Sequence, residues 1–121
     1  MRIATWNINS VRLRIDLVIH FLETYQPTIL CLQETKCPPG QFPAGPIRQA
    51  GYNHIAENGF TGHHGVAIIS RLPIATQQIN LFCGRNDGRH ICIQPERSPF
   101  VIHSLYVPAG GDEPNPVSNN K

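Results

Sequence analysis

Two stretches of this chain are apolar without interruption, Ile29-Leu30-Cys31-Leu32 and Val66-Ala67-Ile68-Ile69. Unbroken runs rich in branched side chains, closed at both ends by polar or breaking residues, predict strands buried on both faces. The second run extends to Ser70 and is broken by Arg71-Leu72-Pro73. Arg2 to Asn9 alternates more loosely and predicts a strand starting almost at the first residue, with Asn7 and Asn9 on one face at its exit. Between these strands Ile15, Val18, Ile19 and Leu22 recur at helical spacing. They predict a helix over Leu13 to Tyr25, capped by Asn9 or Ser10, with Asp16 in its first turn and Gln26-Pro27 as its stop. Strand, helix, strand is a βαβ-like opening, which would set the strand ends carrying Asn7 and Glu34 side by side.

The remainder reads as short strands and turns. Cys37 to Pro46 is rich in Pro and Gly and predicts a loop, followed by a helical turn around Ile47 to Ala50. Tyr52 to Ala56 alternates as a strand, and Asn58 to Gly65 is a glycine-spaced loop of the kind that carries binding contacts. Ile74 to Leu81 is a weaker, more polar strand. Asn86-Asp87-Gly88-Arg89 is a hairpin turn signal. His90 to Gln94 and Phe100 to Val107 are further strands, separated by a turn from Pro95 to Pro99. Beyond Tyr106 the chain turns to Pro, Gly and Asn with nothing to bury. The division expected is therefore a folded part over 1–107 and a disordered tail over 108–121.

Composition narrows the class. With 121 residues and 40% hydrophobic content the chain suffices for one modest domain. Only 15% of residues are charged, below the usual share of about 25%. That favours an α+β fold of short strands and turns over long surface helices. A net charge of +2 does not by itself argue for nucleic acid, and the six histidines add to it only at lower pH. Cys31, Cys37, Cys83 and Cys92 form no Cys-x-x-Cys pair, which suits reduced, structural thiols and a cytoplasmic location. Neither a secretory signal nor a membrane-length apolar run is present.

Glu34 is the focus of the candidate chemistry. It leaves a buried strand between Gln33 and Lys36, and in an extended chain Lys36 would point to the same side. A carboxylate at a strand end is by default solvated or paired with its neighbouring ammonium. It is also what Mg2+ uses, since that ion takes one or two carboxylates and leaves other positions to water and phosphate. Asn7, Asn9 and Lys36 at neighbouring strand exits, with Tyr106 at a third, strengthen the second reading. His54, His63 and His64 do not make a zinc site by spacing, because adjacent histidines rarely chelate one ion. His63 and His64 are expected as exposed loop residues, and His90 and His103 within the sheets. Arg12 and Arg14 are either solvated charge or a clamp for phosphate.

Thr5-Trp6-Asn7-Ile8-Asn9-Ser10-Val11-Arg12, then Gln26-Pro27, then Leu30-Cys31-Leu32-Gln33-Glu34-Thr35-Lys36, resembles the opening of the bacterial exonuclease III family. Gly62 to Arg71, Asp87-Gly88-Arg89 and Leu105-Tyr106-Val107-Pro108 resemble later segments of the same family in order. The resemblance implies a Mg2+-dependent (or Mn2+-dependent) abasic-site endonuclease with 3′-5′ exonuclease activity. It belongs to the endonuclease/exonuclease/phosphatase superfamily and serves base-excision repair. Glu34 would then be a metal ligand, with Asn7 in the network around metal and phosphate. Tyr106 would contact the scissile phosphate, and Lys36 would support Glu34. Asn9, Arg12, His63 and His64 would face the DNA. The partner implied is double-stranded DNA with abasic sites or 3′ ends, the complete enzyme a monomer, and no membrane is involved.

Members of that family run to about twice this length and carry an Asp-x-Asn motif and a water-positioning Asp-His pair in their second half. Neither is found here. The resemblance therefore implies the N-terminal half of a four-layer αββα sandwich, with half of an active site, and an isolated piece that is inactive. Two other readings stay open: a phosphoesterase of the same superfamily with a non-DNA substrate, and a DNA-binding fragment without turnover.

Overall fold

The structure, a computed structural model, describes residues 1–60, 64–80 and 88–107. His63, the Asn86-Asp87 part of the hairpin signal, Leu81, Cys83 and the stretch 108–121 lie outside the described residues. In chain order the elements are β1 (Ile3–Asn7), α1 (Ile15–Tyr25), β2 (Ile29–Gln33), α2 (Ala44–Gln49) and β3 (His54–Asn58). They continue with β4 (Val66–Ser70), β5 (Ile74–Gln78), β6 (His90–Pro95) and β7 (Ile102–Leu105).

Two sheets form, one ordered β1-β2-β4-β3 and the other β5-β6-β7. The expected βαβ opening is present: β1 and β2 are parallel, with Asn7 opposite Gln33, while β2 and β4 are antiparallel, with Gln33 opposite Val66. The two uninterrupted apolar runs are the two central strands of the first sheet, where burial on both faces is required. Leu30, Leu32, Ala67 and Ile69 face Val18 and Leu22 of α1 and Ile47 of α2. On the other face Ile29, Cys31, Val66 and Ile68 pack against Ile91 and Ile93 of β6. The described residues thus make three layers (helices, sheet, sheet) of the sandwich expected.

Element ends depart from the sequence reading. The helix begins at Ile15 rather than Leu13, and its N-cap is Arg14, with no side-chain cap. Asn9 and Ser10, expected there, instead turn the chain in left-handed backbone at φ +49° and +84°. Asn9 is therefore not on the strand face that carries Asn7. The helix stop holds as read: Gln26 is left-handed and its N–H closes on the Leu22 carbonyl at 3.0 Å. The helix at Ile47 starts earlier than expected, at Ala44, and β3 runs His54–Asn58 rather than from Tyr52. Tyr52 has left the strand to place its hydroxyl 2.6 Å from the buried Pro27 carbonyl.

Ser104 ties the sheets together. It is fully buried, donates to the Leu32 carbonyl at 2.9 Å and accepts from Gln33 Nε2 at 3.1 Å. Among the described residues no helix is long and apolar enough to cross a membrane.

Candidate active site

The register brings the exits of β1, β2 and β7 and the entrances of β4 and β6 to one end of the sandwich. Past the last ladder pair, irregular backbone keeps these strands joined. Ile8 N–H reaches the Gln33 carbonyl at 3.0 Å, and Ser10 N–H the Glu34 carbonyl at 2.9 Å. On the other side Thr35 N–H reaches the Gly65 carbonyl at 3.0 Å and Lys36 N–H the His64 carbonyl at 2.9 Å. The second sheet joins through Gly65 N–H to the Gly88 carbonyl and Tyr106 N–H to the Arg89 carbonyl, both at 2.8 Å. Glu34 is thus clamped by strands on either side.

That clamp bends the chain. Asn9, Ser10, Glu34, Lys36 and His64 all adopt left-handed backbone, five of the seven non-glycine residues of the described chain that do so. Such residues cost conformational energy and cluster where surroundings over-determine them for use. With Glu34 at φ +53° and Lys36 at +49°, the extended run expected from Glu34 to Lys36 does not form. Lys36 Nζ instead donates to Asn9 Oδ1 at 2.6 Å. Arg14 bonds the Asn9 carbonyl, so two cations converge on one asparagine. Arg12 spans to Gln41 Oε1 at 2.7 Å and to the Lys36 carbonyl at 3.2 Å, a fixed cation rather than a freely solvated one.

Glu34 is half-buried, and its counterpart across the gap is Tyr106. Burial first, then the hydrogen-bonding contact and charge of Glu34, push the Tyr106 phenol above its ordinary pKa, while the Arg89 cation pulls it down. The phenol is therefore a donor at neutral pH. Asn7, exposed at the end of β1, lies one strand over from the Gln33-Glu34 step. A carboxylate and an amide from one sheet and a phenol from the other, at one end of the sandwich, offer hard oxygen donors and a proton donor, which suits phosphate chemistry around a divalent cation.

His64 differs from the exposed loop residue expected. It is half-buried, with its ring centroid 5.9 Å from Phe60 and 5.3 Å from Tyr106. Arg89 was legible only as part of a turn signal; its place beside Tyr106 comes from the pairing of β6 with β7. A recess lined by Met1, Leu72, Pro73 and Phe100 lies at the opposite end of β1 from Asn7 and takes no part in this cluster.

The sequence profile of the Endonuclease/Exonuclease/phosphatase family matches residues 4–120. Exodeoxyribonuclease III of Haemophilus influenzae is 35% identical over 71 residues, 59% of this chain and 26% of that protein. Among solved structures, an AP endonuclease from Archaeoglobus fulgidus is 34% identical with a TM-score of 0.80, covering 89% of this chain and 41% of that one. A 3′ phosphatase from Neisseria, bound to a product DNA hairpin, is 30% identical with a TM-score of 0.81, over 88% of this chain and 41% of that one. The chain spans less than half the length of each of these relatives.

Proposed function

The chain belongs to the endonuclease/exonuclease/phosphatase family, and we propose that it carries the Glu34 side of a Mg2+-dependent phosphodiesterase centre acting on DNA at abasic sites and 3′ ends. The observation that carries this reading is the strained, half-buried Glu34, clamped between strands with the Tyr106 phenol against it. The donor set fits a hard cation: Glu34 and the Asn7 amide oxygen would hold Mg2+ or Mn2+. When bound, the cation offsets charge developing on the phosphate and the leaving 3′ oxygen.

In this reading the Tyr106 phenol, whose proton is shared with Glu34 in the structure, turns that hydrogen bond to a phosphate oxygen when Glu34 is taken up by the cation. Lys36 holds the Asn9 side chain, and so supports the bend that carries Glu34 rather than pairing with its carboxylate. Arg12, Asn9 and His64 face the DNA backbone, Arg12 with its guanidinium already held by Gln41, while His63, expected with them, lies outside the described residues. The chain holds neither the Asp-x-Asn string nor the water-positioning Asp-His pair that the resemblance implies, so in this reading the attacking water is oriented by groups of another segment. A second reading, release of a 3′ phosphate from a DNA end, is favoured by the Neisseria neighbour described as a 3′ phosphatase.

The test begins with Mn2+ bound to the chain itself, read as loss of the free-ion EPR signal. Binding that vanishes in Glu34→Ala is expected; equal binding by both proteins removes Glu34 from the reading. Duplexes carrying one abasic site or one 3′ phosphate are then offered with Mg2+, with the complementary segment of a matched relative supplied in trans. Glu34-dependent incision or phosphate release assigns the substrate. A cation-loaded chain that binds neither duplex sinks the DNA assignment.

A further inference from the structure

We propose that His90, Cys92 and His103 form a second metal site, for a thiophilic cation of the Zn2+ class, on the face of the β5-β6-β7 sheet turned away from its neighbour. Ile91 and Ile93 of β6 point into the core between the sheets, so His90 and Cys92, alternating with them, share the opposite face. His103 of β7 is the ladder partner of Cys92 and stands on that same face. The ligand atoms of all three lie within 4.8 Å of one another. Tetrahedral zinc with two imidazoles and a thiolate needs donor separations of about 3.3–3.6 Å, so only small side-chain shifts are required. His90 and Cys92 are buried, at 2% and 7% exposure, while His103 is exposed and leaves the fourth position to water.

The hydrogen bonds fix the starting state. Asn80 N–H donates to His90 Nδ1 at 2.9 Å, so His90 carries its proton on Nε2 and donates it to His103 Nδ1 at 2.8 Å. Both rings are therefore neutral, as ligation requires. A histidine pair alone would account for that contact, but it gives no account of a thiol aimed at the same point. On loading, the cation takes the place of the Nε2 proton and His90 becomes the Nδ1–H tautomer, giving up its bond from Asn80. Cys92 loses its proton to solvent, so one proton is released per ion. Nitrogen and sulfur donors select against Mg2+, which keeps this site distinct from the Glu34 carboxylate.

The test titrates the reduced, metal-free 121-residue chain with Co2+ alone. Expected are a thiolate-to-cobalt charge-transfer band and the visible bands of four-coordinate cobalt, saturating at one ion per chain. Zn2+ should bleach them and excess Mg2+ should not. Cys92→Ala should abolish the charge-transfer band. His103→Ala, at an exposed position, should weaken binding by more than about tenfold, the least that loss of an outer-shell partner costs. Cys37→Ala, in the other core cluster, should change neither. No charge-transfer band, or one that survives Cys92→Ala, overturns the proposal. If Cys92→Ala fails to fold, the imidazole nitrogen shifts of the unaltered chain decide: His90 and His103 resonances unmoved by Zn2+ overturn it equally.

Discussion

Gly65 is where the clamp around Glu34 is tightest, and replacing it by alanine should damage both the fold and the site. Its backbone is left-handed at φ +88°, and an added Cβ would stand 2.2 Å from Thr35 Oγ1 and 3.4 Å from Lys36 N. Thr35 cannot simply turn away. It is 1% exposed, its N–H is bonded to the Gly65 carbonyl and its carbonyl to Val11 N–H. Left-handed backbone at a non-glycine residue costs about 1–2 kcal/mol, and forced repacking about 1–3 kcal/mol more. The sum, about 2–5 kcal/mol, is a large share of the roughly 5–15 kcal/mol by which a domain is stable. Gly40 is the internal control, since it has φ +83° but an added Cβ there would meet nothing within 4 Å. Gly40→Ala should therefore lose only the backbone part. In urea unfolding at unchanged m-value the two variants should differ by about 1–3 kcal/mol. Thr35→Ala added to Gly65→Ala should recover most of that excess, a coupling expected only of residues in contact. Mn2+ binding should weaken in Gly65→Ala, because Thr35 sits between Glu34 and Lys36. Equal losses at Gly65 and Gly40, or no recovery with Thr35→Ala, would refute the steric argument.

Three further outcomes follow from buried polar groups. Tyr52→Phe strips the Pro27 carbonyl of its 2.6 Å partner and should lower the unfolding free energy by about 1–3 kcal/mol, an effect absent if water reaches that carbonyl. Ser104→Ala removes the hydroxyl that joins Leu32 and Gln33 to β7; a loss of about 1–3 kcal/mol is expected, and a neutral result in urea unfolding would show that the sheets are held by apolar packing alone. Burial pushes the Cys31 thiol up to about 11 from 9.0, so its contribution is full below pH 9 and lost as pH rises through 11. Stability should therefore fall by up to about 3 kcal/mol from this group over that window, and Cys31→Ala should make the slope there shallower, leaving the part that comes from Cys37, Tyr52 and Tyr106, which burial also pushes up.

The sequence showed which strand ends meet but not how their side chains are turned, and the reason lies in where regular pairing stops. Val66 to Ser70 was readable to the residue because burial on both faces demands an unbroken apolar run, and nothing else in the chain competes for it. From such runs the neighbouring exits of Asn7, Glu34 and Tyr106 follow by register. Side-chain direction in a strand follows from its period of two only while the backbone stays extended. At this end it does not: Asn9, Ser10, Glu34, Lys36 and His64 are left-handed although none is glycine. Neither propensity nor periodicity encodes such a bend, because it is imposed by hydrogen bonds from strands distant in sequence. That is why Lys36 reaches Asn9 rather than lying extended beside Glu34, and why His64 is drawn in against Tyr106. The same reasoning explains the late helix start, since Asn9 and Ser10 are committed to the clamp and cannot cap α1. A side chain that serves the site is thereby lost to local helix capping. The uncapped first turn of α1 is thus a structural consequence of how Glu34 is held.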